Sequence, residues 1–404
     1  MNINPNLNKK KPHILSLMLL SAFAIMGAIV LTPSLPKIST FFNISAGTAQ
    51  MTVTLFLLGY ALGQLIYGPI ANRFGRKPAL YLGIIIATMG SLFSIFASPV
   101  ESFNLLLLGR LLEALGSSAG LVVSFTVIND FYDKESRRIT ATIMLAFAIV
   151  PGVAVSIGGL IAQYLNWQAC FYFLLIYGLL LAIPVWRLPE TLVEADPHAL
   201  KTKKLLSNYL KECKNKRLIG FAICSGLSSA CIYVFGAEGP FIGIHLLHTA
   251  PAEYGFLGLI PYFGTFIGSI IVIKFSNFNA IRLIQSAFLF EASATIAMLF
   301  LFLFHDITLT TLLGPMLFLC VGHPIIAGTA ISLAMKSANN KSNGSAIMNF
   351  TMMSVAMLIT FLLGILHVAS PIILPILFLL SLALMVITYF YCELQAAEKN
   401  NGAN

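Results

Sequence analysis

Gly63-Gln64-Leu65-Ile66-Tyr67-Gly68-Pro69-Ile70-Ala71-Asn72-Arg73-Phe74-Gly75-Arg76-Lys77-Pro78 closes one long apolar run, residues 46–71, with three cations and leads directly into a second, residues 78–97. A helix crossing the hydrocarbon core of a bilayer needs about 20 predominantly apolar residues. Lys and Arg in the short loops between such helices favour the cytoplasmic side. The stretch therefore reads as a tight cytoplasmic turn between two membrane spans. Gly75 suits the turn, Gly68 suits a close approach of helices, and Arg73, Arg76 and Lys77 hold the cytoplasmic face.

The rest of the chain repeats this pattern. Of its 404 residues 58% are hydrophobic and only 10% charged, against about 25% charged in a soluble globular domain. That leaves too few polar side chains to cover an ordinary soluble enzyme. Apolar windows run over 13–35, 46–71, 78–97, 102–127, 139–163, 168–187, 218–244, 254–273, 282–304, 309–334, 343–366 and 371–391, which makes twelve spans. With both termini cytoplasmic, 22 of the 24 Lys and Arg fall in cytoplasmic segments, Lys37 lies on the outer side and Arg110 lies inside a span. The net charge of +9 thus reports orientation and not a nucleic-acid partner. Lys9, Lys10 and Lys11 read as a cytoplasmic anchor, because the one signal-like stretch, Ala22-Phe23-Ala24, lies inside the apolar run and not at its end. The six cysteines, Cys170, Cys213, Cys224, Cys231, Cys320 and Cys392, form no C-x-x-C pair, so neither a disulfide framework nor a metal is expected.

The longest loop separates spans 1–6 from spans 7–12. The expected organisation is an N-terminal six-helix bundle at 1–187, a cytoplasmic linker at 188–217 and a C-terminal six-helix bundle at 218–404. Two equal halves of an all-α membrane protein point to a substrate site between them near the midplane, as in many secondary transporters. Inside the linker Leu200, Leu205, Leu206, Tyr209, Leu210 and Cys213 recur at helical spacing among lysines. That is the pattern of an amphipathic helix lying on anionic lipid; a partner-binding role is the alternative.

The residues 63–78 resemble the G-x-L-a-D-R-x-G-R-K loop of the major facilitator superfamily, and their GQLxYGP lead-in is similar to its bicyclomycin-resistance (Bcr/CflA-type) drug:proton antiporters. Other likenesses are Pro33-Ser34-Leu35-Pro36 to the helix 1 LPxLP end and Gly109-Arg110-Leu111-Leu112-Glu113-Ala114-Leu115-Gly116 to the helix 4 R-x-x-Q-G-x-G motif. Leu188-Pro189-Glu190-Thr191 matches the LPET after helix 6, Trp167 and Phe171 the start of that helix, and Gly239-Pro240-Phe241 the helix 7 S-P-F. There are departures. The family's loop Asp is Asn72, which replaces a charge implicated in closing the inner side by a neutral hydrogen-bonding group. The helix 5 antiporter motif G-P-x-x-G-G reads Ala154-Val155-Ser156-Ile157-Gly158-Gly159, with Pro151 a turn earlier, and the acidic position of helix 1 falls on Ile29.

Ionisable groups inside spans are expensive, by insertion scales about 2.5–3.5 kcal/mol at the centre, so each is a functional suspect. Arg110 and Glu113 share a face of helix 4 and form either a self-neutralising pair or a substrate and proton site; the resemblance favours the latter. Glu238, in helix 7 at a similar depth, could face Arg110 across the two halves as a coupling residue or gate. Glu291, in helix 9, is expected to bond a Ser or Thr of an adjacent helix. His323 is a titratable group on helix 10, either functional or an interhelical hydrogen bonder. Tyr60, Tyr233 and Asn349 are cavity candidates by helix position. Gly68, Asn72, Arg73, Gly75, Arg76, Asp130, Gly158 and Gly159 are the conformational-gate residues that the resemblance implies, with Asp130 paired to the loop cations in one state.

Neither H-E-x-x-H nor G-x-x-x-x-G-K-[ST] occurs, and Gly116-Ser117-Ser118-Ala119-Gly120 lies within a helix and not on a nucleophile's strand-to-helix turn. The expectation is a monomeric transporter of a bacterial inner membrane, not an enzyme and without a cofactor. It would exchange protons for a lipophilic cation or zwitterion, since the cavity candidates hold three acids against one base. Transport of a siderophore or metabolite, and a transport-dead sensor or assembly subunit, are the alternatives.

Overall fold

Lipid offers a backbone N–H or C=O no partner, so each apolar window must close its hydrogen bonds internally as a helix. The computed structural model describes residues 11–132, 136–275, 278–366 and 370–401, less the side chains of 136–138, 141–142, 144–147 and 393–401. Lys9, Lys10, Lys134 and the side chains of Arg137, Arg138 and Lys399 lie outside that description. The helices are α1 (Ile14–Ile29), α2 (Leu35–Phe42), α3 (Ala46–Phe74), α4 (Arg76–Phe96), α5 (Phe103–Tyr132), α6 (Ser136–Tyr164), α7 (Gln168–Arg187), α8 (Thr202–Cys213), α9 (Lys216–Pro240), α10 (Pro251–Leu257), α11 (Leu259–Lys274), α12 (Ala280–Phe304), α13 (Leu309–Ser337), α14 (Lys341–Leu366) and α15 (Ile373–Asn401).

Among the described residues eleven spans are long and apolar enough to cross a membrane, and the apolar part of α6, Ala148–Tyr164, adds a shorter twelfth. The fold is thus all-α with twelve membrane-spanning segments. Two of them change their helical winding along the way. The first passes through a tight helical turn at Thr32–Ser34 into α2, where Pro33 and Pro36 occupy first-turn positions that need no N–H. The seventh continues from α9 through a π-helical turn at Phe241–Leu246.

Between lipid-exposed helices there is no water to expel, so association rests on close packing of small residues. The α4–α5 crossing shows this twice, one heptad apart. A Cβ on Gly116 would strike Ala87 N and Gly83 O, and one on Gly90 would strike Glu113 N and lie 2.6 Å from Gly109 O. Across other seams Gly47 abuts Gly364, Gly158 abuts Val30, and Gly159 abuts Pro251 and Gly255. Gly68 departs from the expectation. Nothing lies within 4 Å of the place its Cβ would occupy, because it faces a cavity and not a helix.

α8 crosses the end of the bundle where Arg73, Arg76, Lys77 and Arg187 gather, here called the basic end. Tyr209 Oη donates to Leu65 O of α3 at 2.8 Å, and burial pushes its phenol up to about 12, so it remains a donor at physiological pH. One turn on, buried Glu212 accepts from Asn340 N at 2.7 Å and Asn339 N at 3.2 Å, just ahead of α14. The apolar stripe read from the sequence is therefore divided: Tyr209 faces the protein, while Leu206 and Leu210 are 57% and 51% exposed.

Substitution should separate the two kinds of glycine. Gly116→Val is expected to lower the thermal unfolding midpoint of the purified protein, at a cost of about 1–3 kcal/mol or more, whereas Gly68→Ala should stay within about 0.5 kcal/mol of wild type. Equal losses would show that Gly68 packs after all.

Candidate substrate and coupling site

Among the described residues, two cavities enter the bundle from opposite ends. The larger, about 770 Å³, opens at the basic end, and its lining includes Gln64, Asn72, Arg76, Asp130, Tyr209 and Asn349. The smaller, about 410 Å³, opens at the other end, with Gln50, Glu238, Phe241 and His245 among its walls. α3 runs past both. Gln50 and Gln64 stand fourteen residues apart on nearly the same helix face, about 21 Å along the axis. Between them the seam of α3 and α14 is shut by Thr54 Oγ1 donating to Thr360 Oγ1 at 3.4 Å.

The four ionisable groups inside spans find three different answers. Arg110 and Glu113, both fully buried, pair through one nitrogen, with Nη1 at 3.1 Å from each carboxylate oxygen. The remaining guanidinium nitrogens donate to Gly27 O of α1 at 2.9 Å and Thr52 O of α3 at 3.4 Å, and the Phe56 ring covers it at 4.3 Å. Gly27 leaves the room this needs, since its Cβ would come 2.8 Å from Glu113 Oε1. Arg110 thereby ties α1, α3 and α5 together and lines neither cavity.

Glu238 does not meet Arg110, because α3 carries Thr52 towards the arginine and Gln50 towards the glutamate. Gln50 Nε2 donates to Glu238 Oε2 at 2.5 Å across 188 residues of sequence. Glu238 is 9% exposed and alone among the four lines either of these two cavities. Glu291 accepts from Ser228 Oγ at 3.0 Å, the hydroxyl of a neighbouring helix that the sequence led us to expect. The same Oγ lies 3.0 Å from His323 Nδ1, so one serine of α9 joins α12 to α13. His323 lines neither cavity.

At the basic end Arg76 is the hub. Its Nε donates to Asp130 Oδ2 of α5 at 2.9 Å, and its Nη1 to Ala71 O at 2.8 Å and to Asn72 Oδ1 at 3.2 Å. Asn72 keeps the hydrogen-bond geometry without the family's charge. Gly75 has φ 110°, a left-handed turn open to glycine, and its Cβ would crowd Glu190 Oε2 at 2.7 Å. Glu190 in turn accepts from Arg76 N and Lys77 N, both at 3.0 Å, capping the first turn of α4. Thr191 Oγ1 adds a bond to Asp130 at 2.8 Å. Arg73 lies over the ring of Phe74 at 5.9 Å and takes no part in this cluster.

Of the three cavity candidates Asn349 lines the larger cavity, while Tyr60 and Tyr233 line neither; Asn349 and Tyr60 meet at Gln64, a residue not singled out from sequence. Asn349 Nδ2 donates to Gln64 Oε1 at 3.4 Å, joining α14 to α3. The Tyr60 hydroxyl lies beside Gln64 and near Tyr233 of α9. Gln64, Gln50, Ser228 and Glu190 were all missed as site residues. The signal for the first two was a lone amide in an apolar run, and for Glu190 the LPET motif itself.

The Major Facilitator Superfamily signature is matched over residues 17–361. The chain belongs to that family of membrane transporters. It is similar to the Bicyclomycin resistance protein homolog of Haemophilus influenzae, 29% identical over 276 residues that cover 67% of this chain and 69% of the relative. It is also similar to Multidrug resistance protein D of Escherichia coli, 29% identical over 254 residues, covering 60% and 63%. Among solved structures it is similar to the xylose transporter XylE from E. coli, TM-score 0.73 at 14% identity, covering 94% and 96%, a likeness of fold.

Removing one partner of a buried ion pair leaves an uncompensated charge, at about 3–5 kcal/mol. Arg110→Met should therefore cost far more thermal stability than the double change Arg110→Met/Glu113→Leu, which removes both charges. Additive losses in this cycle would contradict the pairing.

Proposed function

We propose that the protein exports small drug-like solutes from the cytoplasm in exchange for protons, by rocking its halves, 1–187 and 218–404, about the seam between the two cavities. The basic end faces the cytoplasm by the bias of Lys and Arg, and the lysines of α8 rest against anionic headgroups. The observation that carries this reading is Glu238: a carboxylate at the wall of the opposite cavity, held across the two halves by a neutral amide and by no cation. Parting the halves at that end breaks its bond to Gln50 and gives it water from which to take a proton. Reclosing removes it from that water, and release of the proton towards the cytoplasm, as the next solute enters from the basic end, completes the exchange. The relatives named for multidrug and bicyclomycin resistance support a drug as cargo. One proton crossing 100 mV supplies about 2.3 kcal/mol, roughly a 50-fold solute gradient at about 1.4 kcal/mol per decade.

In everted vesicles an imposed inside-acidic gradient should drive accumulation of chloramphenicol or ethidium, and a protonophore should abolish it. Glu238→Gln keeps a hydrogen-bond acceptor for Gln50 but carries no proton, so gradient-driven accumulation should fall at least tenfold. Undiminished accumulation by that variant would remove Glu238 from the coupling step. Accumulation of a siderophore or metabolite in place of either drug would establish the other cargo.

A further inference from the structure

Gln64 is 2% exposed, lines the deep end of the larger cavity, and its Nε2 makes no hydrogen bond, although the Tyr60 hydroxyl lies alongside. A primary amide has two N–H donors, and burying them unpaired is costly unless something else accepts them. Its other end is already used, since Oε1 accepts from Asn349 Nδ2. The amide is thus fixed in one orientation, with its Nε2 sealed behind the cavity wall beside the Tyr60 hydroxyl, where a small shift of the lining would bring it to a bound solute. Counting residues along α3 and α14, Gln64 and Asn349 sit about 15 Å and 12 Å from the basic ends of their helices.

We infer that Gln64, oriented by Asn349 and flanked by Tyr60, is the cargo-recognition site, and that it takes a neutral solute through a hydrogen-bond acceptor such as an amide or ester carbonyl. The inference rests on the export reading and names its cargo. A cation has nothing to pair with there. Of the acids counted from sequence towards a cationic cargo, Glu113 is sealed against Arg110, Glu291 is bonded to Ser228, and Glu238 lies in the opposite cavity. The charges that line the larger cavity include Arg76, Lys204 and Lys341 beside Asp130 and Asp196, which is no surplus of negative charge, and Arg76 and Asp130 are already paired. Leu121, Val122, Phe125 and Met335 supply apolar wall. A volume of about 770 Å³ is in the range that drug-sized ligands fill.

The test is equilibrium binding to the purified full-length protein in detergent. The probes are chloramphenicol, neutral with an amide carbonyl, and tetraphenylphosphonium, a lipophilic cation without hydrogen-bonding groups. Wild type should bind chloramphenicol the more tightly. Gln64→Leu should weaken chloramphenicol about tenfold or more, the loss of one well-placed hydrogen bond, with little change in the thermal midpoint, since removing a buried unpaired donor offsets the loss of the long bond from Asn349. Gln64→Glu places a carboxylate in the site and should reverse the preference towards the cation. Tighter binding of the cation by wild type, or undiminished chloramphenicol binding by Gln64→Leu, would overturn the inference and leave proton-driven export standing. Absence of binding by either probe, with no gradient-driven accumulation in vesicles, would overturn both.

Discussion

Charge and unpaired polarity have no solvent inside a bilayer, and this constraint arranges the interior of the molecule. Each buried ionic group has been given a partner of different character. Arg110 meets a carboxylate, two carbonyls and an aromatic face; Glu291 meets a hydroxyl shared with an imidazole; Glu238 meets an amide. The more completely a charge is satisfied, the less it is available for transport. Arg110 and Glu113, with every contact internal to one half, serve to hold three helices in register. Glu238, with one neutral partner reached from α3, keeps a cavity on its other side.

The twelve spans, the basic end and the turn at Gly75 were legible because each rests on local composition: an apolar run long enough to cross, a cluster of cations, a glycine where φ is positive. The site was legible only where it carried charge. Glutamines have no such mark, and the partners of Gln50 and Gln64 lie 188 and 285 residues away. Gly68 shows a different limit. A helical glycine marks either a close approach or an open wall, and which of the two depends on the face it presents, fixed only by the packing of α3 against α5 and α14. The pairing of Glu238 with Arg110 foundered likewise, on a helix standing between them.

The loop that first suggested the family is also where its departure is absorbed. Asn72 cannot carry the charge expected of that position, yet its carbonyl oxygen still receives Arg76, and the charge balance of the cluster rests on Asp130 with Thr191 as a second donor to the same carboxylate. Glu190 meanwhile joins the start of the linker to α4. Beside the mouth of the larger cavity the cluster is held by several contacts shared among four residues and not by one isolated pair.

α8 gives this end a mechanical property of its own. It is gripped by α3 through Tyr209 and by the segment before α14 through Glu212, three residues apart on one rigid helix. A hydrogen bond fails when stretched by more than about 1 Å beyond its ordinary length, so any wider separation of those two helices must let go of one grip while keeping the other. The linker is therefore a strap across the mouth of the larger cavity, with Tyr209 and Asn340 both in its lining, so that α8 ties the two rims together from outside the membrane helices.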